Sequence, residues 1–101
     1  MSDLELIKRC AEKMGYDLIS TGGQIFCRKP FSHPAQNNAE FVYNPLTDDA
    51  QAMALVKRFG LIVERIARRG EETWFAAHNE SGIFVDDDLN RCICECVARM
   101  P

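Results

Sequence analysis

The sequence predicts a single α+β domain in which three amphipathic helices pack with a small antiparallel β-sheet. Helical periodicity in three separate stretches, and two pairs of β-prone segments joined by glycine-containing turns, are the observations behind this prediction. The predicted order is α-β-β-(β)-α-β-β-α, with two hairpins and four to five strands. At 101 residues the chain has the length of one domain, so residues 1–101 are predicted to form it without an internal linker.

The first predicted element is a helix over residues 3–14. Ser2 and Glu5 have the spacing of a capping box, in which two side chains satisfy backbone donors at a helix start. Gly15 is suited to the left-handed conformation that ends many helices. The apolar stripe expected to face the core is Leu4, Ile7, Ala11 and Met14.

A hairpin is predicted over residues 16–29, because Gly22 and Gly23 allow the positive φ angles of a tight turn. Residues 30–40 contain two prolines and two asparagines without helical period, and they are predicted to form the longest loop. Residues 41–43 have the composition of a third short strand.

The central helix is predicted to follow Asn44-Pro45, because the residue before a proline is disfavoured in the α region. Thr47 is the expected N-cap, and the next two aspartates place negative charge in the first turn. Gly60 is expected to end the helix. Its apolar stripe is Ala52, Leu55, Val56 and Phe59, with Met53 at the edge.

A second hairpin is predicted from residues 61–68 and 71–78, and residues 79–82 form a cluster of turn residues. Residues 86–100 are predicted to form the last helix, with three aspartates in its first turn. The apolar face of this helix is Leu89, Cys92, Ile93, Cys96, Val97 and Met100.

Composition excludes several broad classes of protein. An apolar fraction of 47% and a charged fraction of 27% are ordinary for a globular protein, and the formal charge of −3 does not favour nucleic acid as a partner. No apolar run is long enough to span a membrane, and the first thirty residues lack a signal-peptide pattern. We therefore expect a cytoplasmic protein whose five cysteines are thiols.

A metal site is the first chemistry that the cysteines suggest. Cys92, Cys94 and Cys96, with His33 and His78, are residue types that bind zinc or copper. On a helix, however, the middle cysteine lies about 200° around the axis from the other two, so the three thiolates cannot converge. We expect the first and last of these cysteines to be core residues, and we expect neither a metal nor a cofactor.

No catalytic motif is present in the chain. Asp48-Asp49 and Asp86–Asp88 have the composition of a cation site, but helix capping accounts for both and the spacing of a calcium loop is missing. Cys27 with either His33 or His78 is a conceivable nucleophile and base, without any local motif that supports either pair. The sequence therefore predicts no enzymatic activity.

Aromatic and basic residues supply the candidate binding site. An aromatic cluster around the long loop and a set of arginines on the second hairpin are the most plausible recognition groups. Glu64, Glu71 and Glu72 offer cross-strand partners to those arginines, so a solvated mixed-charge hairpin is the competing interpretation. The candidate binding residues are Phe31, His33, Tyr43, Arg65, Arg68, Arg69 and Trp74.

Residues 41–100 resemble a known family of small phage-encoded proteins. The motifs are Asn44-Pro45-Leu46-Thr47-Asp48-Asp49-Ala50, then Trp74-x-Ala76, then a terminal helix with Arg91-Cys92-Ile93-Cys94. In this order they resemble the phage ABA sandwich domain family and, more loosely, the NinX-type phage proteins. The resemblance implies a sheet between helices and a phage or prophage origin, with no reaction to carry over. This chain departs from the family pattern in its last helix, where Asn90-Arg91-Cys92-Ile93-Cys94-Glu95 stands in place of an alanine-rich segment.

These observations lead to two hypotheses for function. The first is a non-enzymatic phage or prophage accessory protein that binds a host or phage protein in the host cytoplasm, such as an inhibitor of antiviral defence of the anti-CRISPR kind. The alternative is a module that binds or sequesters a small ligand, a nucleotide or another signal molecule, through an arginine and a stacking aromatic ring. The predicted sheet also has exposed edge strands that could pair between two copies of the chain, so the sequence is compatible with a homodimer.

Overall fold

We describe the fold from a computed structural model, which covers residues 2–21, 23–28, 40–68, 70–78 and 82–101, with the backbone alone at 20–21, 67–68, 71–72 and 74–78. The helices are α1 (Asp3–Met14), α2 (Asp49–Phe59) and α3 (Leu89–Ala98). The strands are β1 (Asp17–Thr21), β2 (Gln24–Arg28), β3 (Phe41–Val42), β4 (Ile62–Arg68), β5 (Glu71–His78) and β6 (Gly82–Asp86). The α+β class and the three helices are confirmed.

Helix α1 begins and ends where the sequence predicts. The Ser2 Oγ accepts a hydrogen bond from the backbone N–H of Glu5 at 3.2 Å, and Gly15 has a φ of 78°. The buried face is displaced from the predicted one, because Leu4 is 39% exposed. The residues that α1 buries are Leu6, Ile7, Cys10 and Ala11.

The first hairpin is confirmed and forms a sheet with the third strand. Strands β1, β2 and β3 pair antiparallel in that order, with Leu18 opposite Cys27. Ile25 and Cys27 point into the core, whereas Leu18 is 36% exposed. The backbone N–H of Tyr43 continues the ladder by donating to the Ile25 carbonyl at 2.8 Å.

Helix α2 is capped by Asp48, so the prediction of Thr47 as the N-cap is wrong. The backbone N–H groups of Thr47 and Asp48 both donate to the Asn44 carbonyl, at 3.1 and 2.9 Å, which places Thr47 inside the preceding turn. The Asp48 Oδ1 then accepts from the N–H of Gln51 at 3.0 Å. Gly60 ends the helix at a φ of 64°, as predicted.

A strand that the sequence analysis did not identify, β6, completes a second antiparallel sheet in the order β4-β5-β6. It runs from the last residue of the predicted turn cluster to the first residue of the predicted last helix. Ile83, Phe84 and Val85 form an apolar run too short to show a period, and pairing with β5 decides their conformation.

Helix α3 starts three residues later than predicted. Asp88 is its N-cap, and the Asp86 Oδ1 accepts a hydrogen bond from the Asp88 N–H at 2.9 Å before the helix begins. The expectation that Cys94 lies away from the apolar face also needs correction, because Cys94 is fully buried. Since α3 contacts α1, α2, β5 and β6, it has buried residues around most of its circumference.

Two sheets replace the single sheet that the sequence predicts. The first sheet contacts α1, the second contacts α3, and the helices contact one another. The arrangement also differs from the sheet between helices that the family resemblance implies. Among the described side chains, most of the buried core belongs to the helices and the first sheet, while Val63 and Phe84 of the second sheet are partly buried against it.

Candidate functional site

The structure describes only part of the predicted binding site. Phe31, His33 and Arg69 lie outside the described residues. For Arg68 and Trp74 the backbone position alone is described.

Two of the predicted residues are brought together by the second hairpin. Arg65 of β4 is the cross-strand partner of Trp74, and Asp86 of β6 follows in the same row. Arg68 is opposite Glu71, one of the acidic cross-strand partners that the sequence analysis named for the arginines.

Tyr43 belongs to the other sheet and is only 2% exposed. Its ring packs edge-on against Tyr16, with centroids 5.4 Å apart, and against Phe41, at 6.3 Å. Burial, together with the neighbouring Cys10, raises the pKa of the Tyr43 hydroxyl well above its ordinary value.

Three of the exposed apolar side chains that the structure describes lie on one face of the second sheet, here called the outer face. It is defined by Ile62, Ile83 and Val85, which are 57%, 67% and 58% exposed. Ile62 and Ile83 occupy the same cross-strand row, separated by Ala77 of β5. Val85 occupies the next row on this face, opposite Phe75. The three aliphatic residues therefore lie on one face within two adjacent rows, and together they are called the patch.

The contacts of the opposite face of the same sheet explain why this patch is exposed to solvent. Side chains alternate along a strand, and the alternate positions Val63 and Phe84 pack against the core. The Cys92 Sγ donates to the Phe84 carbonyl at 3.1 Å and ties β6 to α3. With one face held on α3, the outer face has no cover among the described residues.

A second feature is a hollow of about 330 Å³ between the first sheet and α2, here called the aromatic hollow. Tyr16, Phe41 and Tyr43 line one side, and the N-cap and first turns of α2 line the other with Asp48, Ala50, Gln51 and Ala54. The Tyr16 and Phe41 rings are 5.5 Å apart at an interplanar angle of 87°. The three rings thus meet one another edge to face.

Hydrogen bonds from Gln51 hold the two sides of the aromatic hollow together. The Gln51 Nε2 donates to the Val42 carbonyl at 2.8 Å, and its Oε1 accepts from the Asn44 N–H at 2.7 Å. Because both polar atoms of the Gln51 side chain bond to backbone groups at the end of β3, this side chain holds β3 against α2.

The cysteines lie inside the core. All five are thiols outside any disulfide, and all five are fully buried. Burial raises the pKa of the Cys27 thiol to about 11, the reverse of the lowered pKa that activates a nucleophilic cysteine. The Cys10 thiol donates to the Cys94 carbonyl at 3.6 Å, a contact that joins α1 to α3.

Within the described ranges, no group of three or more histidine, cysteine, aspartate and glutamate side chains is placed to hold a metal ion. None of the helices in that part of the chain is long and apolar enough to cross a bilayer.

Sequence analysis missed the outer face and most of the aromatic hollow. Strand β4 has apolar residues on both of its faces, Ile62 on one and Val63 on the other, and this two-sided pattern was the available indication of a second contact surface. Tyr43 was identified without its neighbours Tyr16 and Phe41. Tyr16 lies more than 20 positions earlier in the chain, and Phe41 was interpreted only as a residue of the third strand.

Comparison with known proteins gives no match: no family model matches the sequence, and no curated protein or solved structure is significantly similar to the chain.

Proposed function

We propose that this protein works by binding another protein, and that the outer face of the second sheet is its contact surface. The single observation that supports this proposal is the patch of Ile62, Ile83 and Val85, each more than half exposed. Scattered exposed aliphatic residues are ordinary, but a contiguous apolar patch is typical of a surface that another protein covers.

The partner that fits best presents an apolar surface bordered by basic side chains. Glu64 lies on the same face of the sheet as the patch and is exposed, and the chain carries a net charge of −3. A standard interface needs about 800 Å² from each partner, which a domain of this size can supply. Charge complementarity at the border would set the orientation of the complex and its rate of formation.

A non-catalytic function is supported by the state of the nucleophiles. Cys27, the thiol considered for catalysis, is fully buried and its pKa is raised to about 11. A thiol in this state is protonated at neutral pH and has no path to a substrate.

The resemblance to phage ABA sandwich proteins supports a narrower form of the proposal. In that form the partner is a host or phage protein in the host cytoplasm, and inhibition of an antiviral defence is one consequence of binding. This narrower form is tested separately from the use of the outer face.

The contact surface is tested by a partner captured from host lysate, purified, and titrated against variants of this protein. We expect Ile83→Lys to raise the Kd at least ten-fold, because a charge replaces the most exposed side chain of the patch. Glu64→Lys should weaken binding less and reduce its dependence on salt.

Met53→Lys is the matched control, since Met53 is 44% exposed but belongs to α2. We expect it to bind like the unmodified protein. Equal affinity of the Ile83→Lys and Met53→Lys variants would overturn the outer face as the contact surface. Recovery of no partner from any lysate, together with a purely monomeric protein, would overturn the binding function itself.

A further inference from the structure

The aromatic hollow has the chemistry of a site for an organic cation. Its rings pack at interplanar angles of 79° to 87°, with centroids 5.4 to 6.3 Å apart. Rings in this arrangement turn faces and edges in different directions, and the face of an aromatic ring attracts positive charge. Tyr43 is buried at the base, whereas Tyr16 and Phe41 are partly exposed.

The charged side chain that lines the hollow is acidic. Among the described residues that line it, Asp48 is the one with a charged side chain. Asp17 and Glu40 are exposed chain neighbours of the lining residues, and Arg28 is the cross-strand partner of Asp17. The start of α2 contributes a positive partial charge of about half a unit, which the carboxylate of Asp48 exceeds.

The size and rigidity of the hollow suit a small ligand. A volume of about 330 Å³ lies at the lower end of the roughly 300–1,000 Å³ typical of small-molecule sites. Ala50 and Ala54 on the α2 side are small and leave the space open. The hydrogen bonds of Gln51 to Val42 and Asn44 fix the distance between the two walls.

We propose that the aromatic hollow binds a quaternary or methylated ammonium group. Such a cation has an apolar surface that the rings can cover and a diffuse charge that their faces and Asp48 can stabilise. A nucleotide fits less well, because its phosphates would meet carboxylates instead of arginines. This site gives the small-ligand alternative a definite chemistry, and it is independent of the outer face.

The probe that tests the charge is choline, compared with its neutral isostere 3,3-dimethylbutan-1-ol at constant ionic strength. The aromatic resonances of Tyr16 and Phe41 are followed by NMR during each titration. We expect choline to shift both sets of resonances saturably and to bind about ten-fold more tightly than the isostere. Equal binding of the two compounds, or no saturable shift with choline, would overturn the proposal.

Two variants separate the contribution of a ring face to choline binding from that of the Asp48 carboxylate. Phe41→Leu keeps apolar volume but removes a π face, and it should lower choline affinity at least five-fold while leaving the isostere unchanged. Phe59→Leu is the matched control outside the hollow. Asp48→Asn keeps a good N-cap residue and should lower the affinity for choline about three-fold. If Phe41→Leu fails to fold, unchanged choline affinity in Asp48→Asn still counts against the proposal.

The ammonium group can belong to a free metabolite or to a methylated lysine in a protein. A short peptide containing trimethyl-lysine is therefore titrated beside choline. Tighter binding of the peptide would assign the site to a protein side chain, and tighter binding of choline would assign it to a free ligand. Binding of neither would overturn the proposed site.

Discussion

Burial of the Cys27 thiol makes the stability of this protein depend on pH. Its side chain points from β2 into the core and is fully buried. Burial disfavours the thiolate, so the pKa rises from 9.0 to about 11. The neighbouring Tyr16 hydroxyl also has a raised pKa, mainly through burial and secondarily through Cys27. Both groups are neutral in the folded protein at physiological pH.

This shift predicts a loss of stability at alkaline pH. Below pH 9 the thiol is protonated in both states, so its contribution to stability is fully present. Between pH 9 and about 11 the unfolded chain ionises first, and the free energy of unfolding should fall by up to about 1.4 kcal/mol per pH unit for this group. Urea unfolding at several pH values measures the slope.

Cys27→Ala supplies the control for that prediction. The other titrating groups are present in both proteins, and Cys27 makes only a secondary contribution to the pKa of Tyr16, so the difference between the slopes belongs mainly to the thiol. We expect a shallower slope in the variant, although its stability at neutral pH is lower because a cavity replaces the sulfur. Identical slopes would contradict the assignment of the shift to Cys27.

At the level of secondary-structure elements, the start of α2 depends on which residue caps it. The Asp48 Oδ1 accepts a hydrogen bond from the Gln51 N–H at 3.0 Å. The Thr47 hydroxyl instead donates to the Asn44 carbonyl at the long distance of 3.4 Å and is exposed. The carboxylate also lies at the positive end of the helix dipole, where negative charge is favoured.

Asp48→Ala should therefore lower the free energy of unfolding by about 0.5–2 kcal/mol, the usual cost of losing an N-cap. Thr47→Ala is the matched control one residue earlier, and it should change stability by less than about 0.5 kcal/mol. Chemical unfolding of both variants measures the two changes in the free energy of unfolding. A larger effect for Thr47→Ala would show that the helix begins one residue earlier than described.

For the whole molecule, α3 and β6 differ in how firmly they are held. Helix α3 has six buried residues and contacts two helices and two strands, whereas the edge strand β6 has only exposed or partly buried side chains. Local opening requires little loss of buried apolar contact in such a strand. Strand β6 should therefore open more easily than α3.

Native-state hydrogen exchange should show this difference. We expect amides of β6 to exchange through an opening of lower free energy than amides of α3, which lies at the centre of the contacts between elements. A protein partner on the outer face should raise the protection of β6 and leave that of α3 unchanged. Equal protection of both elements in the free protein would mean that the sheet and the helices open as one unit.

The sequence by itself determined the elements whose cause is local. The bounds of α1, the end of α2 at Gly60 and the first hairpin follow from caps, glycines and alternation within a few residues. The predicted binding residues that can be followed, Tyr43 and Arg65, proved to lie in different sheets.

Only tertiary structure decided the remaining features. Strand β6 forms because β5 lies beside it, and Cys94 is buried because α1 covers the side of α3 that sequence periodicity left to solvent. The division into two sheets and the assembly of the aromatic hollow likewise join residues distant along the chain. Local patterns specify which side chains an element presents, but pairing and burial between distant segments determine which of them are covered.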